Sequence, residues 1–391
     1  MMIILFWICL IIVFYTYIGY CIILIISVKI KEIFVKRPSY KLPRKLPDVT
    51  LFITAYNEQD VVREKMKNCL LLNYPKDKLH IVWVTDGCDD NTNDLLNLYS
   101  DVKVYFQPKR KGKVSAMNRG MNYVHTPIVV FTDANTLLNK DSIKEVVKCF
   151  TDPKVGCVSG GKRIVDRNKD NAVGGGEGFY WKYESFLKDY DSRLYSAVGA
   201  AGELFAIRTD LYTPMRKDTL LDDFMLSMNI AANGYKIVYC KGAFATEEGS
   251  AGMKDEQTRK VRISAGGIQS IRRLRRLYNI FKYRTLSFQY ISHRVLRWSV
   301  TPFMLLALLP INLLIVLFNP TMLYVVFFII QILFYLMAII GDVFANKQIK
   351  KKVFFIPYYF LFMNINVLRG ISYLYKYIES SDGIWEKSKR R

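Results

Sequence analysis

The sequence predicts an α/β domain, a mostly parallel sheet covered by helices on both faces, set between membrane-spanning helices at the two ends of the chain. Three observations carry this. From residue 48 onward, short apolar runs alternate with helical spacing. The apolar runs end in acidic clusters, and long uncharged stretches occupy both terminal regions. Strands alternating with helices of ordinary length build parallel βαβ units. Reactive loops then gather beyond the carboxyl ends of the strands.

Ile3 to Ile30 is nearly uncharged, long enough to cross a hydrocarbon layer of ~30 Å. A cleaved signal peptide starts basic and has a shorter core; here the start is Met-Met-Ile-Ile and the basic cluster Lys29–Lys45 follows the span. The positive-inside rule therefore puts the amino terminus outside and the chain from Lys29 onward in the cytoplasm of a multi-pass inner- or plasma-membrane protein. The expected divisions are a spanning helix over 1–30, a basic linker over 31–47 and the α/β domain over 48–267. An amphipathic interfacial segment over 268–299, a membrane region over 300–375 and a basic tail over 376–391 complete the chain.

Within the domain, Asp48–Ala55, Leu79–Val84, Val102–Phe106 and Ile128–Phe131 read as strands. Gln59–Leu72, Asn91–Tyr99, Lys113–Tyr123 and Ser142–Phe150 read as the helices that follow them. The second half is predicted to hold strands at Val155–Gly161, Ala200–Ile207 and Ile237–Cys240, with helices at Gly178–Tyr190 and Asp222–Asn233, the latter ended by Gly234. Ile268–Ser299 is basic and aromatic with interrupted apolar spacing, which suits a membrane surface. Pro302–Phe318 and Met322–Ile340 are spanning candidates. Val353–Leu374 is a weaker one because of Asn364, Asn366 and Arg369. A full third crossing would leave the basic Trp385–Arg391 outside, so a tilted, re-entrant or surface-lying segment stays open.

The formal charge is +22. Its Lys/Arg runs lie beside apolar segments at Lys29–Lys45, Arg272–Arg276 and Lys347–Lys352, which points to anionic membrane lipid and away from nucleic acid. Seven scattered cysteines without a CxxC fit a reducing compartment. His80, His125 and His293 are too dispersed for a zinc site.

The chemistry sits at the strand ends. Thr132-Asp133-Ala134-Asn135 follows the run Pro127–Phe131, placing an acidic residue and a second oxygen donor two positions apart. Mg²⁺ or Mn²⁺ prefers such hard ligands, with nucleotide phosphates completing the shell; an Asx turn is the plain alternative. Asp86 ends another strand, where it can accept hydrogen bonds from a uracil imide or ribose hydroxyl, while Asp89 and Asp90 suit helix capping. Tyr56, Asn57 and Glu58 lie where base and ribose pack, and Lys113 closes the basic run Lys109–Lys113 that faces phosphate. Asp222 and Asp223 begin a helix. Asp223 is the candidate general base for an acceptor hydroxyl, and capping is its structural alternative. Gly202 and Glu203 fall where a sugar approaches the backbone, and Trp181 offers a stacking face. Arg259, Lys260 and Arg262 are placed to stabilise a diphosphate leaving group. Together the acidic strand ends read as a nucleotide-sugar transferase.

The ordered set Thr54–Glu58, Thr85–Asp90, Thr132–Asn135, Leu221–Phe224 and Arg259–Arg262 resembles the membrane-associated family 2 glycosyltransferases, such as the poly-N-acetylglucosamine, hyaluronan and cellulose synthases. The resemblance implies a GT-A (Rossmann-like) fold, an inverting mechanism, a UDP-sugar donor, a glycan or lipid-linked acceptor and Mg²⁺ or Mn²⁺. It assigns Asp86 to uridine, Asp133 to the cation and Asp223 to the base. Asn135 stands where many relatives have a second aspartate. Processive synthases commonly carry Gln-Arg-any-Arg-Trp where this chain reads Arg259-Lys-Val-Arg-Ile263, so no tryptophan forms an acceptor platform there. A homo-oligomer or an export partner fits a chain with about four candidate spans. The alternative class is an export accessory or sugar-binding membrane protein with a decayed transferase site.

Overall fold

The computed structural model describes residues 1–165, 172–249, 252–347, 349 and 351–379. Of the basic tail expected over 376–391, residues 380–391 fall outside these. Among the described residues eight strands form one sheet: β1 (Val49–Ala55), β2 (Leu79–Asp86), β3 (Val102–Gln107), β4 (Ile128–Asp133), β5 (Leu137–Leu138), β6 (Val155–Val165), β7 (Phe205–Arg208) and β8 (Lys236–Glu248). Their order is β3-β2-β1-β4-β7-β6-β8-β5. The first four run parallel, and β7 pairs antiparallel with both β4 and β6.

β1 and β4 are almost continuously apolar because helices cover both of their faces. One core packs Leu51, Ile53 and Val130 under Val62, Met66 and Ile143 of the Gln59–Leu70 and Ser142–Cys149 helices. The other packs Phe52, Val129 and Phe131 under Met117 of the Lys113–Gly120 helix and Phe224 and Met228 of the Asp222–Ala232 helix. The parallel register places Thr54 opposite both Val84 and Asp133. The tips of β1, β2 and β4 therefore open on one edge.

Several elements differ from expectation. β2 and β4 run on through Asp86 and Asp133, so each carboxylate is the last residue of its strand rather than part of the loop. Ala200–Leu204 is a turn, and only Phe205–Arg208 pairs. Gly199 turns the chain there at φ +88°, with the Phe224 ring filling the space a Cβ would need. The predicted Asn91–Tyr99 helix shrinks to Thr92–Leu96, and β8 is far longer than Ile237–Cys240 because it pairs with both β6 and β5. Over 268–299, the Met253–Arg273 helix passes straight through the expected boundary at 267. Leu274, Leu277, Leu286, Tyr290 and Trp298 then pack into the second core. This stretch is part of the domain's own packing.

Among the described residues four helices are long and apolar enough to cross a membrane: Met2–Phe34, Val300–Phe318, Met322–Asn346 and Val353–Lys376. Large apolar side chains such as Ile11, Phe14, Leu317, Ile329 and Ile339 point outward from them, a contiguous exposure that suits lipid and not water. Polar contacts join these helices: Thr16 meets Thr301 at 2.9 Å, and the Tyr17 hydroxyl donates to Asn364 Oδ1 at 2.8 Å.

The Val353–Lys376 helix also touches the α/β domain. At Gly370 a Cβ would lie 2.7 Å from Ser264 Cβ and 2.8 Å from the Ala265 backbone nitrogen, so the two helices meet backbone to backbone as small residues allow. Gly370→Leu should lower the thermal midpoint of the detergent-purified protein. The overpacking cost, roughly 1–3 kcal/mol or more, exceeds the ~1 kcal/mol gained in helix propensity.

Candidate active site

The open edge of the sheet leads into one cavity of about 1820 Å³, whose wall includes Tyr56, Glu58, Asp86, Lys113, Asp133, Asn135, Trp181, Gly202, Glu203, Asp222, Asp223, Arg259, Lys260 and Arg262. Asn57, expected to pack against base and ribose, is not part of that wall. Its side chain is spent on a reciprocal pair with Asp89, donating to Asp89 Oδ1 at 2.5 Å and accepting from the Asp89 amide at 3.1 Å, which ties the β1 loop to the β2 loop. Asp90 caps two helix starts, accepting from Gln59 N and Thr92 N.

Asp86 is 4% exposed. One of its oxygens accepts from the amides of Lys111 (2.9 Å) and Gly112 (2.7 Å). Gly112 presents its N–H this way from φ +89°, a conformation glycine adopts without steric cost. The other oxygen, Oδ1, is buried without a partner among the described residues, an unmet acceptor in the cavity wall. Beside it the Arg110 guanidinium lies 3.7 Å from the centroid of the Tyr56 ring, giving a flat cationic and aromatic surface.

Deeper in, Lys113 Nζ sits between two carboxylates, 3.1 Å from Asp133 Oδ1 and 3.3 Å from Asp222 Oδ2. Burial alone would pull this ammonium down. Asp133, then Asp222 and Asp223, outweigh burial and push it above the ordinary lysine range. Asp222 and Asp223 open their helix, where carboxylates are favoured by the helix dipole. Burial first, then the Asp222 charge, push the Asp223 carboxyl up to about 7 against the pull of Lys113. Its Oδ1 accepts from the Phe224 amide at 2.8 Å, and a Cβ on Gly202 would lie 3.3 Å from its Oδ2. The Gly199–Glu203 turn is held against this helix by Ser227, which takes the Ala200 amide and donates to the Asp223 carbonyl.

Some side chains are already engaged. Glu203 pairs with Lys162 at 2.5 Å, and Lys162 also pairs with Glu247. Burial opposes ionisation of Glu203, but Lys162 and Arg259 overcome it and hold the carboxyl far below the usual range. Arg259 and Lys260 both reach Glu256, at 3.7 and 3.4 Å, and Trp181 has Lys162 Nζ 4.7 Å from its ring centroid. Arg262 is pulled down by burial and by Arg259, while Asp222 and Asp133 pull it back.

The donor set suits a hard divalent cation. Among the described residues no three His, Cys, Asp or Glu side chains gather as a metal cage. Asp133 and Asn135 supply two oxygen donors from one strand end, leaving the rest of the shell to phosphate oxygens. Beneath them lies a residue that sequence reasoning missed. Lys65, fully buried, donates to Thr132 Oγ1 (3.0 Å) and to the Thr136 carbonyl (2.7 Å), bracing the turn that carries Asp133. Burial pulls it down to about 8. The signal was present: Val62, Lys65, Met66 and Cys69 share one helical stripe, so Lys65 stands on the buried face. Lys162, Lys188 and Glu184 were also missed; each lies singly in a segment with weak periodicity.

Comparisons with known proteins identify the family of the chain. The family described as Glycosyltransferase like family 2 matches residues 47–279. The poly-beta-1,6-N-acetyl-D-glucosamine synthase of Staphylococcus aureus (strain MSSA476) is 27% identical over 220 residues, 52% of this chain and 50% of that protein. The probable glycosyltransferase YdaM of Bacillus subtilis (strain 168) is 34% identical over 134 residues, 32% of each chain. The chain spans half or less of the length of these curated relatives. Among solved structures, the mannosyltransferase PcManGT from Pyrobaculum calidifontis, in complex with GDP-Man and Mn²⁺, superposes with a TM-score of 0.73 at 19% identity, covering 96% of this chain and 99% of that one. The fold is therefore that of a GT-A glycosyltransferase with apolar helices at both ends. The chain belongs to the family 2 glycosyltransferases and is a membrane-associated member of it.

The raised Asp223 carboxyl sets a stability signature. Its folded value of about 7 lies above the ordinary 3.8, so the folded state holds the extra proton and stability falls as pH rises from about 4 to 7. Asp223→Asn removes that penalty. Its thermal midpoint should exceed that of the parent at pH 8 and match it near pH 4; a gap independent of pH counts against a buried, ionising Asp223.

Proposed function

We propose that the protein transfers a sugar from a UDP-sugar to a glycan or lipid-linked acceptor, with inversion and with Mg²⁺ or Mn²⁺, at the cytoplasmic membrane face, in the synthesis of a cell-surface or extracellular polysaccharide. The observation that carries this reading is that Asp86, Asp133 and Asp223, distant in sequence, line a single cavity. The unmet Asp86 Oδ1 is an acceptor for the uracil imide, and the Tyr56–Arg110 surface stacks the base. Asp133 and Asn135 would hold the cation. When bound, that ion neutralises charge on the departing nucleotide. Lys113 and Arg262 add fixed positive charge on the same side.

Asp223 takes the proton of the acceptor hydroxyl as its oxygen attacks the anomeric carbon, and a carboxyl titrating near 7 is well matched to that task at neutral pH. Attack from the face opposite the leaving diphosphate inverts the centre. The basic residues in the last turns of the first apolar helix and after it, Lys29–Lys45, support the cytoplasmic placement.

Asp223→Asn should leave UDP-sugar binding within a few-fold and cut transfer by at least ~10², measured as UDP release and product mass from enzyme in lipid. The parent's rate should climb through an acidic limb near pH 7 that the variant lacks. Near-normal transfer by the variant would remove Asp223 as the base. Chelation with EDTA should abolish UDP release, and Mn²⁺ or Mg²⁺ should restore it; activity indifferent to EDTA argues for Lys113 and Arg262 meeting the diphosphate without a metal ion.

A further inference from the structure

The turn that carries Asp133 and Asn135 is held from one helix at both of its flanks. Lys65 and Asn68 stand about one turn apart in the Gln59–Leu70 helix. Lys65 Nζ donates to Thr132 Oγ1 at 3.0 Å and to the Thr136 carbonyl at 2.7 Å. Asn68 makes a reciprocal pair with Leu138, giving Nδ2 to its carbonyl and taking its amide, both at 2.8 Å. Asp133 and Asn135 ride between these fixed points.

The connection continues across the sheet. The ladder between β4 and β7 ends at Phe131 and Phe205. Past its end, Thr132 Oγ1 donates to the Glu203 carbonyl at 2.9 Å. Gly202, the residue before, is where a Cβ would lie 3.3 Å from Asp223 Oδ2. Lys65 fixes the direction of this contact. An ammonium only donates, so Thr132 accepts from it and keeps its single hydroxyl proton for an acceptor beyond. The Glu203 carbonyl takes that proton, and a chain of two hydrogen bonds joins the helix to both turns.

We propose that Lys65 is a positioning residue for transfer: through Thr132 it sets the placement of the Asp133 turn relative to the Gly202–Glu203 turn beside Asp223. This rests on the transferase reading above and adds a residue that ties its donor side to its acceptor side. As mere core filling, Lys65 is expensive. It shares its stripe with Val62, Met66 and Cys69 and is fully buried. A methionine occupies similar space there without stripping water from a charge. The ammonium is worth that cost where its donors hold two reacting loops in register, since small misplacements near the chemistry are paid in rate.

The test compares the full chain in lipid nanodiscs with Lys65→Met, Thr132→Val, Thr132→Ser and the double variant of the first two. Mn²⁺ is titrated in the presence of UDP by electron paramagnetic resonance, metal-free UDP binding is followed by calorimetry, and UDP release gives kcat. Lys65→Met should weaken Mn²⁺ binding and lower kcat, each by about tenfold or more, while metal-free UDP binding at Asp86 stays at the parent value. Thr132→Val should do the same, and the double variant should be no worse than either single one, because the two side chains act through one contact. Thr132→Ser, which restores the hydroxyl, should recover most of the loss. Additive losses in the double variant overturn the proposal, as does a Lys65→Met protein whose thermal midpoint shifts while Mn²⁺ affinity and kcat do not. Should Lys65→Met fail to fold, a Thr132→Val enzyme with parental Mn²⁺ affinity and kcat overturns it alone. So does a parent that takes up no Mn²⁺ with UDP. A parent that binds both yet releases UDP from no UDP-sugar overturns the transferase reading, while the Mn²⁺ titration still decides the role of Lys65.

Discussion

The Lys113 ammonium, shared between Asp133 and Asp222, is the contact on which the centre of the molecule depends. It links the tip of β4 to the start of the Asp222–Ala232 helix, two elements far apart in sequence. Without it three carboxylates, Asp133, Asp222 and Asp223, would crowd one partly buried space with no counter-charge. With it Asp133 and Asp222 share one ammonium, and burial together with the Asp222 charge raises the affinity of Asp223 for its proton. The arrangement divides labour between neighbours: Asp222 makes the ion pair to Lys113, while burial and the Asp222 charge raise the carboxyl of Asp223.

The surroundings keep this cluster in place by covalently distant but short-range ties. Leu221, just ahead of the two aspartates, lies under Gly266, where a Cβ would come within 2.6 Å of its Cγ. Gly267 in turn accepts the Trp298 ring, and Gly370 accepts the backbone at Ser264 and Ala265. The Met253–Arg273 helix is thus pressed between the Asp222–Ala232 helix and a candidate membrane span. The basic face with Arg259, Lys260 and Arg262 cannot shift relative to Asp222 without opening one of these close approaches.

Much of this was legible in the chain. The continuous apolar runs of β1, β2 and β4 announced a sheet buried on both faces, and the acidic residues ending them announced its open edge, because both signals are local. What escaped was tertiary. Ala200–Leu204 has the composition of a strand, but Gly199 and the Phe224 ring turn it away. β8 reads as four apolar residues and becomes thirteen because its partners β5 and β6 supply the hydrogen bonds its side chains do not advertise. Buried lysines are the hardest class: Lys65 was readable from its place on an apolar stripe, whereas Lys188 is identified only by the cavity it faces. The 268–299 stretch looked like a surface ribbon because its arginines dominate the pattern; Leu277, Leu286 and Tyr290 between them decide its packing.

The Ala172–Leu194 helix lies along the first apolar helix and is fastened to it repeatedly. The Tyr183 hydroxyl donates to the Tyr17 carbonyl at 2.8 Å, Tyr20 donates to Asp191, Lys31 holds the carbonyls of Arg193 and Leu194 at 2.8 Å each, and Glu32 takes Arg193 at 2.6 Å. The same helix carries Trp181, Glu184 and Lys188 into the cavity. A bilayer too thin for the first helix is accommodated by tilt, and that tilt is passed through these fastenings to one wall of the cavity. Membrane thickness thereby becomes a mechanical input to how wide the reaction chamber stands.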